Sequence, residues 1–304
     1  MYRAAAAPRL ISRAPSWPPV GITDCHVHIN PLGTMHPDTV RLLGSVAPET
    51  RAMLDDPAQF LAYLDRCGVA RAVLVNYVAP EVIGYTESTN DFVSRYAAHD
   101  PDRLIALGGI RPDHPAPARE IRRLAHDLGI RGLKLHPPHQ LFRPDGYRDG
   151  SAPALREVYA TCESEGLPIV FHTGTSVFPR ARNRFSDPMF VEDVAIDFPD
   201  LTIVLAHGGR PIWMETAVFL ARRFPNVWLE VSGVPPARTL EYFPHLERDA
   251  AKTLFGTDWP GPGVKDIRSN LDAFRLLPIS AEARHRILEE NPQRVFPPRT
   301  APLK

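Results

Sequence analysis

The residues best suited to chemistry stand in four short segments: Asp24-Cys25-His26-Val27-His28, and three later stretches that end in His172, His207 and Asp258. Side chains alternate along a strand with period two, so an extended 24–28 segment puts Asp24, His26 and His28 on one face and aims two imidazoles at one point. Neutral imidazole is the commonest protein ligand for zinc and related cations. A catalytic centre adds a carboxylate or a further histidine and keeps a position open for water. Taken alone, the HxH pair also fits two hydrogen-bonded core histidines, and the placement of the other candidates decides between the two readings.

That placement follows from the apolar pattern. Residues 21–29, 70–77, 104–110, 132–136, 168–172, 201–207, 227–231 and 253–258 read as strands. Residues 57–67, 86–98, 115–128, 154–165, 188–197, 212–223, 239–250 and 267–274 read as helices. Eight strand-helix repeats imply right-handed crossovers and a parallel sheet closed into a (β/α)8 TIM barrel, a single α/β domain over 21–297. A doubly wound open sheet is the rival, but the glycine-rich turn that should follow its first strand is missing. Lys134, His172 and His207 are 38 and 35 residues apart, about one βα unit each, so all three end successive strands. With His26, His28 and Asp258 they collect on the C-terminal rim, where barrel enzymes keep their chemistry. Scattered histidines have no reason to do so.

Composition sets the remaining bounds. The 304 residues carry 35 basic and 35 acidic side chains, with no dense basic run to suggest nucleic acid or an acidic membrane as partner, so a small-molecule substrate is expected. Cys25, Cys67 and Cys162 are odd in number and outside any CxxC pattern, which argues against a disulfide framework and for a reducing, cytoplasmic setting. Residues 1–20 are basic and rich in proline and alanine but lack the apolar core of a secretion signal. They read as a disordered extension, and 298–304 as a tail. Residues 35–56, after the first strand, form an insertion longer than a usual connection. It either caps the site or serves an oligomer interface.

The motifs together resemble the amidohydrolase superfamily, in the amidohydrolase-related branch that includes enzymes like aminocarboxymuconate-semialdehyde decarboxylase. The resemblance rests on Asp24-Cys25-His26-Val27-His28, Gly132-Leu133-Lys134-Leu135-His136-Pro137, Val170-Phe171-His172-Thr173-Gly174, Leu205-Ala206-His207-Gly208-Gly209 and Phe255-Gly256-Thr257-Asp258-Trp259-Pro260. It implies a distorted barrel and one divalent metal, zinc or alternatively manganese, with His26, His28, His172 and Asp258 as ligands. It also implies a homodimer. Such a centre lowers the pKa of water. Asp258 can then hold the metal and accept the proton, while His207 hydrogen-bonds the water or stabilises the oxyanion. Lys134 is either an ammonium that orients the substrate or, as in binuclear relatives, a carbamate bridging two metals. The ammonium is preferred.

Substrate contacts are expected from Arg180, Arg182 and Arg184 on the loop after His172, since guanidinium forks bind carboxylates, and from Arg210, His136 and Trp259. Phe178, Trp213 and Tyr147 also stand beside site motifs, and core packing explains each about as well. Glu230, ending the seventh strand, is a candidate to orient Lys134 or a ligand histidine. His139 is a weaker candidate than His136. The leading functional expectation is a metal-dependent hydrolase of an ester, lactone or amide of a small, carboxylated molecule. Nonoxidative decarboxylation of an aromatic or muconate-like acid is the alternative, and a noncatalytic metal-binding scaffold is the third reading.

Overall fold

In the computed structural model, which describes residues 21–264 and 266–298, eight parallel strands close into a barrel. They are β1 (Thr23–Val27), β2 (Arg71–Val75), β3 (Leu104–Leu107), β4 (Leu133–Leu135), β5 (Ile169–His172), β6 (Ile203–Ala206), β7 (Val227–Glu230) and β8 (Thr253–Leu254). Ladders join β1-β2-β3 and β4-β5-β6-β7-β8. Parallel bridges between Gly108 and Leu133 and between Val27 and Trp259 seal the two seams. The expected extension 1–20 and nearly all of the expected tail lie outside the described residues. Among the described residues no helix is long and apolar enough to cross a membrane.

Side-chain alternation divides the core in two. Val73, Val75, Ile105, Leu107, Val170, Val204 and Leu254 fill the barrel interior, and Val295 and Phe296 plug its floor. Their neighbours Ala72, Leu74, Ala106, Leu133, Leu135, Phe171 and Leu205 face the surrounding helices. Lys134 is in register with Val170, and His172 with Ala206, so both polar residues belong to the inward rows.

Strict alternation fails in β1. Asp24 pairs with Ala72 and Val27 with Leu74, so three residues span the distance of two, and a β-bulge intervenes. Asp24 and Val27 thereby share the helix-facing side with Ala72 and Leu74, while Cys25 joins the interior. Asp24 is therefore not a third member of the histidine face. Its carboxylate accepts from Thr257 N at 2.9 Å and Thr257 Oγ1 at 2.7 Å, which ties β1 to the segment after β8.

The insertion carries two helices absent from the sequence reading, α1 (Pro37–Leu43) and α2 (Pro48–Asp55), before α3 (Pro57–Cys67). Each begins with proline, which suits a first helical turn because its missing N–H has no partner there anyway. Asp56 caps α3 by accepting from Ala58 N at 2.9 Å, and Gly68, at φ 70°, ends it. The helix expected over 239–250 is broken into Thr239–Tyr242 and Leu246–Asp249, because Pro244 disfavours helical backbone at Phe243. The strand expected to reach Asp258 stops at Leu254, but the chain beyond it still bonds to β1 through Asp258 N to His26 O at 2.8 Å.

Candidate metal centre

β1 delivers His26, fully buried, and just beyond its end His28, one-fifth exposed. Asp258 enters from the segment after β8, placing Oδ1 3.1 Å from His28 Nε2 and 3.6 Å from His26 Nε2. Among the described residues these three form one of two groupings with the geometry to hold a cation, the other being His26, His207 and Glu230. The second is already a hydrogen-bonded network. Glu230 Oε2 lies 2.8 Å from His26 Nδ1 and 2.9 Å from Ser232 Oγ, and Ser232 Oγ lies 2.9 Å from His207 Nδ1. The Ser232 backbone N–H holds the other Glu230 oxygen at 2.5 Å.

The network sets the tautomers. An ionised carboxylate only accepts, so His26 donates from Nδ1 and keeps a lone pair on Nε2. Ser232 donates its hydroxyl hydrogen to Glu230 and accepts from His207 Nδ1, which leaves a lone pair on His207 Nε2 as well. His26 Nε2 then faces a carboxylate oxygen of Asp258, acceptor against acceptor, and it has no hydrogen-bond partner. His172 Nε2 is likewise buried and without a partner. Buried acceptors in that state are expensive, and a cation between them removes the conflict. His28 can join them: its Nδ1 is 3.4 Å from the Asn30 amide nitrogen, while Asn30 Oδ1 is buried without a partner. Turning that amide by 180° lets its oxygen accept from His28 Nδ1–H and frees Nε2. The donor set fits a divalent metal.

Two glycines allow this closeness. A Cβ on Gly256 would stand 2.6 Å from both His26 Cβ and Glu230 Oε1. One on Gly233 would meet Arg210 Nη2 at 2.6 Å and His207 Nδ1 at 3.0 Å. His207 and Asp258 themselves have positive φ, 64° and 67°, a conformation that costs non-glycine residues about 1–3 kcal/mol and is concentrated at functional sites.

Burial and neighbouring charge sort the ionisation states. Burial pushes the Asp258 carboxyl up, but its electropositive surroundings, with Arg210 Nη2 3.9 Å from Oδ2, outweigh burial and hold the group below the ordinary carboxylate range. Burial lowers His26, His136, His139, His172 and His207 well below the ordinary imidazole value, so all five are neutral near pH 7. Glu230 is pushed up to about 7, chiefly by burial, and Lys134 is brought down to about 8 by the same cause. The Lys134 ammonium is fully buried and has no hydrogen-bond partner.

A cavity of about 790 Å³ opens on this cluster. His28, His136, His172, His207, Arg210, Asp258 and Trp259 all line it, whereas Lys134 lies beneath it. Trp259 also stacks on Phe60, with ring centres 5.5 Å apart. Arg180, Arg182 and Arg184 do not line the cavity. Arg180 pairs with Asp38 at 3.2 Å on the surface, Arg182 donates to loop carbonyls, and Arg184 lies over the Phe185 ring. The loop carrying them turns Phe178 and Ala181 inward against the cluster of Tyr77, Ile83 and Tyr85 and leaves its arginines on the surface. Tyr147 is remote from the centre, donating to Asp197 at 2.7 Å, and Trp213 is not among the lining residues. Sequence reasoning missed Ser232 and Asn30, and undervalued His139. His139 lines the cavity between Tyr77 OH at 3.0 Å and Ser176 Oγ at 2.7 Å, and stacks on His136 with ring centres 3.6 Å apart. A serine two residues beyond an inward glutamate was the only sequence sign of the network.

A closed barrel with histidines and a carboxylate converging on its C-terminal rim defines an α/β-barrel enzyme built for a metal centre. The chain belongs to the amidohydrolase family, whose model matches residues 23–297, and it is an enzyme of the amidohydrolase type. It is 26% identical to 4-sulfomuconolactone hydrolase of Rhizobium radiobacter, over 91% of this chain and 90% of that one. It is 25% identical to 2-pyrone-4,6-dicarboxylate hydrolase of Comamonas testosteroni, over 92% and 91%. To gamma-resorcylate decarboxylase of Rhodococcus jostii (strain RHA1) it is 24% identical, over 63% of this chain and 70% of that one. Among solved structures, an uncharacterised TIM-barrel protein of Bordetella bronchiseptica superposes with a TM-score of 0.70 at 26% identity, covering 90% of this chain and 97% of that one. The 5-carboxyvanillate decarboxylase of Novosphingobium aromaticivorans, solved with manganese, shares the fold with a TM-score of 0.64 at 17% identity, over 90% and 95%.

Proposed function

We propose that the protein is a metal-dependent hydrolase that opens a lactone or ester of a small molecule by adding water. The observation that carries this reading is the position of Asp258, whose Oδ1 lies between two imidazole Nε2 atoms at 3.1 and 3.6 Å while Oδ2 turns toward Arg210 at 3.9 Å. His26, His28, His172 and Asp258 are assigned as the holders of one divalent cation. Three imidazoles and a carboxylate suit zinc, and manganese is compatible with the same set. When bound there, the cation supplies Lewis acidity, making water more acidic and polarising a carbonyl.

The chain's own residues do the rest. The Asp258 carboxylate, held below the ordinary carboxylate range and so ionised near neutrality, takes a proton from the attacking water. His207, neutral and with Nε2 as acceptor, hydrogen-bonds that water and orients it toward the carbonyl carbon. A bond forms between the water oxygen and the carbonyl carbon, and the ring or ester C–O bond breaks. The proton held by Asp258 passes to the departing oxygen, giving a hydroxy acid from a lactone.

Decarboxylation is the second reading, supported by the gamma-resorcylate decarboxylase relative, with Asp258 delivering a proton to carbon as carbon dioxide leaves. Hydrolysis is preferred because both hydrolase relatives align over 91% and 92% of this chain, against 63% for that decarboxylase. The test is a panel of lactones and of hydroxylated aromatic acids given to the metal-loaded protein and to Asp258→Asn. Lactone opening that falls by about 10²–10⁴-fold in the variant is expected. Carbon dioxide release without lactone opening would establish the decarboxylase instead.

A further inference from the structure

The cavity that reaches His28, His172, His207 and Asp258 changes character away from them. Its distal walls come from Leu43 and Val46 of the insertion, Leu54 of α2, Ile83, Phe178 and Val264. Among the described lining residues Arg210 is the sole permanent cation and Asp258 the sole acid. Arg210 is already partly engaged, since Nη1 donates to Thr175 O at 2.9 Å and Nη2 stands 3.9 Å from Asp258 Oδ2, but one-fifth of its side chain remains exposed at the cavity and can receive an anion beside the metal centre. A second carboxylate or sulfonate on the substrate would have to be stripped of water against largely apolar walls that offer the hydroxyls of Thr39, Ser45 and Thr50 but, among the described residues, no cation, which is unfavourable.

Resting on the hydrolase reading, we infer that the substrate carries at most one anionic group, seated at Arg210, and an apolar body that fills the chamber under the insertion. This separates it from 2-pyrone-4,6-dicarboxylate, the molecule named for one relative, which has two carboxylates. The three arginines at 180, 182 and 184 do not alter the balance, because they stand outside the cavity. α1 and α2 are then specificity elements, and their apolar residues read the length and bulk of the substrate body.

Binding is measured by calorimetry on the full-length, metal-loaded protein, with monocarboxylates from pentanoate to octanoate and with dicarboxylates of matching length, glutarate to suberate. Affinity should rise about fourfold for each methylene of the monocarboxylates. Each dicarboxylate should bind at least tenfold more weakly than its monocarboxylate counterpart. Leu43→Arg and Val46→Arg each place a cation in the distal wall and should favour the dicarboxylates by about tenfold or more. Should both variants unfold, the series on the unaltered protein decides alone. Affinity independent of chain length, or dicarboxylates bound as tightly as monocarboxylates, overturns the inference. Lactone opening is followed separately, from γ-valerolactone to γ-nonalactone and on 2-pyrone-4,6-dicarboxylate. Length-dependent binding with no ring opening sinks the hydrolase reading and leaves the apolar chamber standing. Opening that is fastest on the dicarboxylate overturns the chamber and leaves hydrolysis standing.

Discussion

His26 Nδ1 lies 2.8 Å from Glu230 Oε2, and both side chains are fully buried. This contact suits His26 to the ligand role proposed for it, because a ring that donates from Nδ1 must present a lone pair at Nε2, on the side where Asp258 stands. Through Ser232 the same carboxylate fixes His207. One buried acid therefore sets the tautomers of two histidines with different tasks.

Replacing Glu230 with Gln keeps the shape but sets an NH2 group against at least one of three donors, His26 Nδ1–H, Ser232 N–H and Ser232 O–H. Metal affinity should fall by about 10–100-fold, as it does when outer partners of ligand histidines are lost. Competition against a chelator of known affinity measures it. Unchanged affinity would mean that His26 is oriented by packing alone.

Ser232→Ala separates the two branches of the network. His26 keeps its contact with Glu230, while His207 loses the group that fixes its tautomer. We expect metal content to stay near that of the unaltered protein and kcat to fall by about tenfold or more, the usual scale for losing an orienting partner. A loss of metal as large as in Glu230→Gln would show instead that Ser232 works by holding Glu230.

The barrel and the candidate rim residues were legible because apolar runs and strand ends follow from period-two burial, and Lys134, His172 and His207 stand in or directly after the last residues of successive strands. Asp24 was misplaced on the histidine face because a bulge leaves no mark in a five-residue motif, and the bulge depends on pairing with β2. The Arg180–Arg184 loop follows a site histidine in sequence, yet its path is set by which of its residues pack inward, a tertiary choice between Phe178 and its charged neighbours. Ser232 could not be read as a relay until Glu230 and His207, from different strand ends, were seen to converge on it.

The metal-free protein should be sensitive to mild acid. Its five buried imidazoles have depressed values, so they contribute stability that is present above the unfolded value of about 6.5 and lost as pH falls through it. Asp24 and Glu230 act oppositely: raised to about 7, mainly by burial, they favour the folded state more as pH falls from that point. The five imidazoles outnumber the two carboxyls, so unfolding takes up protons on balance as pH falls below about 6.5, and stability falls with it. Denaturant melts of chelator-treated protein between pH 7.5 and 5 should lose stability steeply. A flat profile would show that these histidines are solvated rather than buried neutral.

Lys134 decides how many metals the centre holds. Its amine is buried beside Glu230 and Asp258, brought down to about 8 chiefly by burial, and left without a hydrogen-bond partner. A carbamate there would bridge two cations and be needed for both. An ammonium would instead repel the single cation assigned to His26, His28, His172 and Asp258. The two roles give opposite signs for Lys134→Met. With the second cation grouping already occupied by the hydrogen bonds of Glu230, we expect one equivalent of metal per chain, with or without bicarbonate. Lys134→Met should bind that metal about tenfold more tightly, the size of a repulsion of about 1.4 kcal/mol. Two equivalents in the unaltered protein, falling in the variant and recovering in neither buffer, would establish the carbamate bridge.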